Sequence, residues 1–419
     1  MTAKQRRTKS SAKQNNHQAL EEKQTAKESS TNADNVKPVP KRKTKSVRSS
    51  KINWIITGLL LVAGVVLGLL WAYGYCEGGS KREEYEFKRV AFPDFNISRG
   101  IDRRSNLSLD EFIELYDAKW PVLVTDAMKS WPAMRKWSKN FFMSNYGSEV
   151  IAFKGISGKL HQRQGLAAPL GVFLQHIGES TRSQWSYLED EVFMFRNPEL
   201  LKDIDTPIYL KEDFFSLLPE EIRPWNAMLL WGTKYSRSTL HIDPYNWTGT
   251  NAVISGRKQW KLYPPGQDHL LYVPPGRKSG FPLDCPKYQS PVDTFDYDVV
   301  KYPKFKHAKA LEFVQMPGEM LFIPTGWFHQ AYNREETMAI SSQVWNSQNL
   351  KQVMEEIVKG GNVRRPDIPA DLDSYSPNSQ VEAIISMFPP EIIEHGKKVN
   401  RDIMDQLDRV ARRAQTSAP

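Results

Sequence analysis

From about residue 227 the sequence alternates between short apolar or aromatic runs and breaks made of Pro and Gly. Strands in an antiparallel sheet follow one another at this spacing. The runs cover residues 227–231, 252–254, 259–263, 312–315, 320–323 and 337–345. The pattern predicts a mainly β sandwich or barrel over residues 227–349.

Helical patterning flanks this β region on both sides. Ser108 and Glu111 have the spacing of a capping box before a short apolar-faced helix. Residues 122–125 then predict a buried strand, and apolar residues return to helical spacing over 350–411. The sequence therefore predicts an N-terminal α/β part at 85–226, the β core, and a C-terminal helical region at 350–419.

Residues 52–76 form a run of 25 uncharged and mostly apolar residues. At about 1.5 Å per residue, such a helix crosses the roughly 30 Å hydrocarbon layer of a membrane with some tilt. The alternative is a core helix, but a helix of a soluble protein needs a polar stripe, which this run lacks. The long basic region before the run disfavours a cleaved signal peptide. We predict one transmembrane helix, and the G-x-x-x-G of Gly64 and Gly68 could pair two copies into a homodimer.

The formal net charge of +9 is concentrated in one segment. Residues 1–51 hold 14 Lys and Arg against 4 Asp and Glu, and the rest of the chain has a net charge of −1. These 51 residues contain almost no large apolar side chains, so we expect a disordered tail. Basic residues that flank a membrane-spanning helix favour the cytoplasmic side of the membrane, so the N-terminal tail is expected in the cytoplasm. The charge thus predicts a type II membrane protein with a lumenal domain in the secretory pathway, and no direct nucleic acid binding.

His241 and Asp243 are two residues apart in a β context, so their side chains leave the same face of a sheet. His329 follows a turn, a strand and a second turn, and is the candidate for a third ligand. Two imidazoles and one carboxylate with open positions are a set that binds iron(II). The other histidines considered lack a strand partner and are expected at the surface or in the core: His161, His176, His269 and His307.

An iron site with three protein ligands leaves positions for a bidentate co-substrate and dioxygen. A co-substrate with two carboxylates needs a cation at its far end. Lys258 lies on the strand after a turn at Gly256, where it could reach back over the site. From its position alone, however, a surface lysine is the favoured interpretation of Lys258.

Several ordered motifs over residues 90–350 resemble the JmjC-type oxygenases of the cupin superfamily, and most closely the arginine demethylase/lysyl hydroxylase branch. The shared pieces are Pro121-Val-Leu-Val-Thr, Trp131-Pro-Ala with Lys136-Trp, Pro207-Ile-Tyr209, His241-Ile-Asp-Pro, Asn251-Ala, Gly256-Arg-Lys258-Gln-Trp260 with Tyr263-Pro, Pro317-Gly-Glu, Ile323-Pro and Gly326-Trp-Phe-His329. The resemblance implies a double-stranded β-helix, the jelly-roll or cupin barrel, with iron at its mouth.

The resemblance also implies residue roles. His241, Asp243 and His329 match the iron(II) ligands, and Lys258 with Tyr209 matches the pair that holds the far carboxylate of 2-oxoglutarate. Further positions matching co-substrate contacts are Ser238, Asn251 and Ser341. Asn333 and Gln343 are less specific candidates near the site. The implied cofactors are iron(II), 2-oxoglutarate and dioxygen, with ascorbate as reductant.

The favoured interpretation is a membrane-anchored, lumen-facing oxygenase that hydroxylates side chains of a protein or peptide substrate. The alternatives are a nuclear-type demethylase of histone arginine or lysine, a catalytically silent cupin binding module, and a zinc or manganese cupin of the isomerase kind. The predicted membrane span disfavours a nuclear demethylase, and the intact set of three metal-ligand residues disfavours a catalytically silent module.

Three sequons bear on the predicted topology, at Asn96, Asn106 and Asn246. We expect the first two to accept glycans in a lumenal domain. Asn246 lies three residues after Asp243, and we expect it to remain unmodified at the mouth of the site.

Overall fold

A computed structural model of the chain describes residues 85–87, 95–157, 164–274, 277–278, 283 and 285–416. The predicted tail at 1–51 and the predicted span at 52–76 lie outside the described residues. No helix within those ranges is both long and apolar enough to cross a membrane.

The larger sheet has nine strands in the described part of the chain. They are β1 (Asp102–Arg104), β2 (Val122–Val124), β3 (Val150–Ser157), β4 (Gln164–Pro169), β5 (Gln184–Asp190), β6 (Met228–Gly232), β7 (Thr248–Ser255), β12 (Met320–Ile323) and β14 (Thr337–Val344). Their order across the sheet is β1-β2-β12-β7-β14-β6-β5-β3-β4. Strands β1 and β2 run parallel, and the other neighbours are antiparallel.

A second sheet has the order β11-β8-β13, with β8 (Lys258–Tyr263) between β11 (Leu311–Gln315) and β13 (Phe328–Asn333). A separate short pair joins β9 (Arg277–Lys278) to β10 (Pro286–Lys287). Buried side chains of the nine-stranded and the three-stranded sheet belong to one core cluster, for example Ala252 of β7 and Trp260 of β8. The predicted mainly β fold with flanking helices is confirmed.

Eight α-helices cover this core in the described ranges. They are α1 (Leu109–Leu115), α2 (Ala133–Lys136), α3 (Lys139–Tyr146), α4 (Leu170–His176), α5 (Phe193–Arg196), α6 (Leu350–Gly360), α7 (Pro377–Ile385) and α8 (Pro390–Thr416). Only half of the predicted capping box forms at α1. Ser108 Oγ accepts a hydrogen bond from the Glu111 backbone N–H at 3.2 Å, but the Glu111 carboxylate pairs with Arg104.

The C-terminal helices belong to two further apolar clusters. Helices α6 and α7 pack their buried faces with Phe214, Phe215 and Trp345 into a second core. Helix α8 contacts β3 and β4, where Leu407 is buried with Val150. Helix α8 therefore packs against the larger sheet, while α6 and α7 bury their apolar faces in the second core.

Candidate active site

Three side chains predicted as metal ligands meet at one point between the sheets. The Nε2 atoms of His241 and His329 lie 3.4 and 3.5 Å from Asp243 Oδ1. The ligand atoms of the three residues are all within 4.8 Å of one another. Two imidazole nitrogens and one carboxylate oxygen converge on a face that leaves other coordination positions open.

Backbone pairing brings the two histidines together across 88 positions of sequence numbering. The His241 N–H donates to the His329 carbonyl at 3.1 Å, and the His329 N–H donates to the His241 carbonyl at 2.8 Å. His329 lies on β13, whereas His241 lies in an extended segment before β7 that forms isolated bridges. The ligand geometry therefore depends on the pairing of a loop with the smaller sheet.

Each imidazole is oriented by a carbonyl two residues earlier in the chain. The Nδ1 atom of His241 lies 2.8 Å from the Thr239 carbonyl oxygen, and that of His329 lies 3.1 Å from the Trp327 carbonyl oxygen. A carbonyl can only accept, so Nδ1 carries the hydrogen when the ring is neutral. The Nε2 of a neutral ring then has a lone pair free to ligate a metal beside Asp243, whereas a protonated ring donates from Nε2 to Asp243 Oδ1.

The carboxylate of Asp243 lies directly against Gly249 of β7. A Cβ atom at position 249 would be 2.1 Å from Asp243 Oδ2, so no larger residue fits there without displacing the carboxylate. Burial alone would raise the pKa of Asp243, but the charge and hydrogen bonds of the two imidazoles hold that pKa well below its usual range. Asp243 is therefore an anion that can bind a cation.

A cavity of about 320 Å³ opens from the three ligands. It is lined by the candidates Ser238, Asn251 and Ser341. Asn251 Oδ1 is buried without a hydrogen-bond partner among the described residues. Ser238 Oγ accepts a hydrogen bond from the Ala331 N–H at 3.0 Å, which leaves its own hydrogen available. The wall therefore offers polar groups suited to a polar ligand.

Lys258, the first residue of β8, is completely buried. It lies beside Tyr187 and Trp260, which both line the cavity. Its Nζ lies 3.2 Å from Tyr187 Oη and 5.7 Å from the ring centroids of both Tyr187 and Trp260. Burial lowers the pKa of Lys258 to about 7, although the charge of Glu189 acts in the opposite direction. A buried ammonium that an anionic ligand would stabilise is the cation that a dicarboxylate needs.

The structure contradicts the prediction that Tyr209 lies beside Lys258. Tyr209 packs against Phe112 and Phe322, with ring centroids 4.6 and 5.5 Å away, and its hydroxyl donates to the Leu107 carbonyl at 2.6 Å. The hydroxyl that meets Lys258 belongs to Tyr187 on β5. Both tyrosines precede the ligands, and only the pairing of β5 with β6 shows which of them faces the cavity.

The sequence profile described as a cupin-like domain matches residues 108–352, a range that contains all three ligands. The chain belongs to the cupin-like domain family. The resemblance to the cupin superfamily that the sequence motifs indicated is confirmed.

Among the relatives of this cupin-like chain, the arginine-specific demethylase JMJ22 of Arabidopsis thaliana is 30% identical over 317 residues, covering 74% of this chain and 59% of the relative. The bifunctional arginine demethylase and lysyl-hydroxylase psr-1 of Caenorhabditis elegans is 26% identical over 262 residues, covering 61% and 63%. The 2-oxoglutarate and iron-dependent oxygenase JMJD4 of Danio rerio is 33% identical over 190 residues, covering 43% of each chain. The chain spans less than two thirds of the length of each of these relatives.

The remaining candidates of this cupin-like domain occupy different places. Gln343 lines the cavity, and its Nε2 donates to the Trp225 carbonyl at 2.7 Å. Asn333 is buried away from the cavity lining and donates from Nδ2 to Ser236 Oγ at 2.8 Å. The histidines His176, His269 and His307 are exposed, as expected, and His161 lies outside the described residues.

Proposed function

We propose that the protein is an iron(II)- and 2-oxoglutarate-dependent dioxygenase that hydroxylates side chains of a protein substrate. The observation that carries this proposal is the convergence of His241, Asp243 and His329 at one end of a cavity whose wall contacts the buried Lys258. An inert binding module would have no need for a buried ammonium near three metal-ligand side chains. The relatives known as a lysyl-hydroxylase and as a 2-oxoglutarate and iron-dependent oxygenase support the same chemistry.

The side chains divide the work of holding the cofactors. His241, Asp243 and His329 would hold iron(II), and Lys258 with the Tyr187 hydroxyl would hold the far carboxylate of 2-oxoglutarate. Ser238 and Asn251 would supply hydrogen bonds along the co-substrate, whereas Ser341, whose hydroxyl donates to the Thr250 carbonyl at 3.0 Å, would line the pocket beside it. When bound, these cofactors with dioxygen supply an oxidant that removes hydrogen from a substrate C–H bond, with succinate and carbon dioxide as co-products; ascorbate would keep the iron reduced.

Demethylation of arginine is a second candidate because two of the relatives carry that activity in their names. Oxidation of an N-methyl group begins with the same hydrogen removal, so the same site serves both reactions. The product distinguishes them: a hydroxylated residue retains one added oxygen, whereas a demethylated residue loses a methylene and releases formaldehyde.

We further propose that the domain is anchored by a span at 52–76 with the tail 1–51 in the cytoplasm and the catalytic domain in the lumen. The charge distribution of the sequence supports this topology. Asn96 and Asn106 are exposed, as glycan acceptors must be. Pairing of two copies through Gly64 and Gly68 stays a prediction, since both lie outside the described residues.

The decisive experiment measures succinate formed from 2-oxoglutarate by the full chain in detergent, with iron(II) and ascorbate. Wild type and Asp243→Ala are compared, with His269→Ala as a control because His269 is exposed and does not line the cavity. We expect turnover by wild type and His269→Ala and background levels for Asp243→Ala. Equal turnover by all three proteins, or by none, would refute the proposal.

A further inference from the structure

The cavity rim next to β5 carries charges of both signs. Lys154 forms an ion pair with Glu189, and both residues line the cavity together with Glu191 and Lys287. Lys154, Glu191 and Lys287 are exposed to solvent there. With two carboxylates opposed by two ammonium groups, the rim provides little net charge with which to select a substrate.

The same rim carries an aromatic surface. Trp225 lines the cavity and is half-buried, and its ring centroid lies 6.2 Å from that of Phe195 at an angle of 37°. Phe195 is 54% exposed, although its neighbours Phe193 and Met194 in α5 are buried. Phe195 does not itself line the cavity, but its exposed ring lies against Trp225, which does. An exposed aromatic ring of this size is a binding surface for another apolar group.

The position of Trp225 is fixed from β14, which also carries the cavity residue Ser341. Gln343 Nε2 donates to the Trp225 carbonyl at 2.7 Å, and Ser342 Oγ donates to the Asn226 carbonyl at 2.6 Å. Adjacent residues of one strand thus hold adjacent carbonyls of the rim. The segment that carries Trp225 is therefore attached by hydrogen bonds to the strand that carries Ser341.

Helix α8 supports Trp225 within a separate apolar cluster. Ile403, Met404 and Leu407 of α8 belong to the cluster that contains Trp225. The ring is therefore preorganised, and a ligand that packs on it loses little free energy in ordering the protein.

We propose that Trp225 and Phe195 form a subsite for an aromatic or large aliphatic side chain of the polypeptide substrate, close in sequence to the residue that enters the cavity. The inference rests on the proposed function. An extended chain advances about 3.3–3.6 Å per residue, so a neighbour of the reacting residue lies at the rim when that residue is inside. Since the rim charges oppose one another, this apolar contact distinguishes one sequence from another.

The test uses the full chain in detergent with iron(II), ascorbate and a peptide library. Each peptide has a central Lys, Arg or Asn, and each flanking position is varied in turn. Succinate is measured with each peptide and without peptide. We expect stimulation to be greatest with Phe, Trp, Leu or Met at one flanking position.

Phe195→Ser and Trp225→Ala should raise the KM for the best peptide about tenfold, because burial of a large apolar side chain contributes on that scale. Turnover without peptide and the KM for 2-oxoglutarate should stay within about twofold of wild type. Phe195→Ser tests the subsite even if Trp225→Ala fails to fold, because Phe195 is 54% exposed and its loss should leave the fold intact. Val300→Ser is the matched control, since Val300 is 86% exposed and does not line the cavity.

The outcomes separate the subsite from the proposed function. Peptide-stimulated turnover with no apolar preference, or a preference that survives Phe195→Ser, overturns the subsite alone. A loss of turnover without peptide in Phe195→Ser also overturns it, since the residue would then support the fold or the cofactors. Turnover without peptide that no library member stimulates overturns protein hydroxylation and the subsite together.

Discussion

Gly249 lies so close to the Asp243 carboxylate that only glycine at position 249 lets Asp243 keep its position. A Cβ at 249 would lie 2.1 Å from Asp243 Oδ2. Strand β7 thus holds a metal-ligand carboxylate through the absence of a side chain, in addition to the contacts from the two histidines.

Gly249→Ala should therefore displace Asp243 and weaken metal binding. We expect a loss of about 10–100-fold in affinity, the range found when groups that orient metal ligands are changed. Titration calorimetry with Mn²⁺ in place of iron(II) measures it. Gly165→Ala is the matched control, because Gly165 is also on a strand of the larger sheet and its added Cβ would meet nothing within 4 Å. Equal affinity of the two variants would show that Asp243 tolerates the shift.

A pair of tyrosine variants tests which hydroxyl serves the co-substrate. Tyr187→Phe should raise the KM for 2-oxoglutarate about tenfold, because a hydrogen bond to a charged group contributes about 1.5–3 kcal/mol. Tyr209→Phe should leave that KM unchanged and lower the free energy of unfolding by about 1 kcal/mol, since it loses the bond to the Leu107 carbonyl. The reverse pattern in steady-state kinetics would restore Tyr209 as the co-substrate residue.

Lys258→Met should abolish tight binding of 2-oxoglutarate while preserving metal binding. Methionine fills most of the buried volume but supplies no charge for the far carboxylate. We expect the Kd for Mn²⁺ to stay within about threefold of wild type, and the KM for 2-oxoglutarate to rise by about 100-fold, equivalent to about 2.7 kcal/mol. Arg257→Met is the control on the preceding residue, whose guanidinium pairs with Glu335 at the exposed surface. A Lys258→Met protein with a normal KM would exclude an ionic role for Lys258.

Asp117 should make the wild type more stable in mild acid than at neutral pH. Burial raises the pKa of Asp117 to about 6, although Asn346 donates to its Oδ2 at 2.6 Å. Between the unfolded pKa near 3.9 and the folded value, the folded state binds more protons, so stability rises as the pH falls through 6. Relative to Asp117→Asn, the wild type should gain roughly 1 kcal/mol between pH 7.5 and pH 5. Chemical unfolding at the two pH values measures the difference, and a constant difference would contradict the raised pKa.

Glycosidase treatment after expression in a secretory system tests the topology. Asn96 and Asn106 are exposed and should carry glycans, whereas Asn246 Oδ1 accepts a hydrogen bond from the Gly326 N–H at 2.6 Å and should not. Asn96→Gln with Asn106→Gln should abolish the mobility shift, and Asn246→Gln should leave it intact. An unglycosylated domain that protease digests on intact microsomes would place the domain on the cytoplasmic side.

The sequence predicts those parts of the molecule that depend on local pattern. The apolar runs at 312–315 and 320–323 coincide with β11 and β12. The predicted turn before Lys258 is also present, with Gly256 at a positive φ of 78°. The two-residue spacing of His241 and Asp243 similarly predicts that they share a face.

The sequence does not reveal features that depend on contacts between distant segments. Strands β3, β4 and β5 extend the larger sheet, but exposed residues interrupt their apolar pattern, as at Lys154. Tyr187 replaces Tyr209 beside Lys258 because of how β5 is paired. The importance of Gly249 is apparent only from the position of Asp243, and that of Trp225 only from its place on the cavity wall.

The support that α8 gives to Trp225 has a consequence for biosynthesis. The ribosome makes both sheets, and with them all three metal-ligand residues, before it makes residues 403–407. A nascent chain can therefore assemble its metal-ligand set while the cavity entrance still lacks its backing. Only when the last helix docks does the proposed aromatic subsite acquire the apolar packing that positions Trp225.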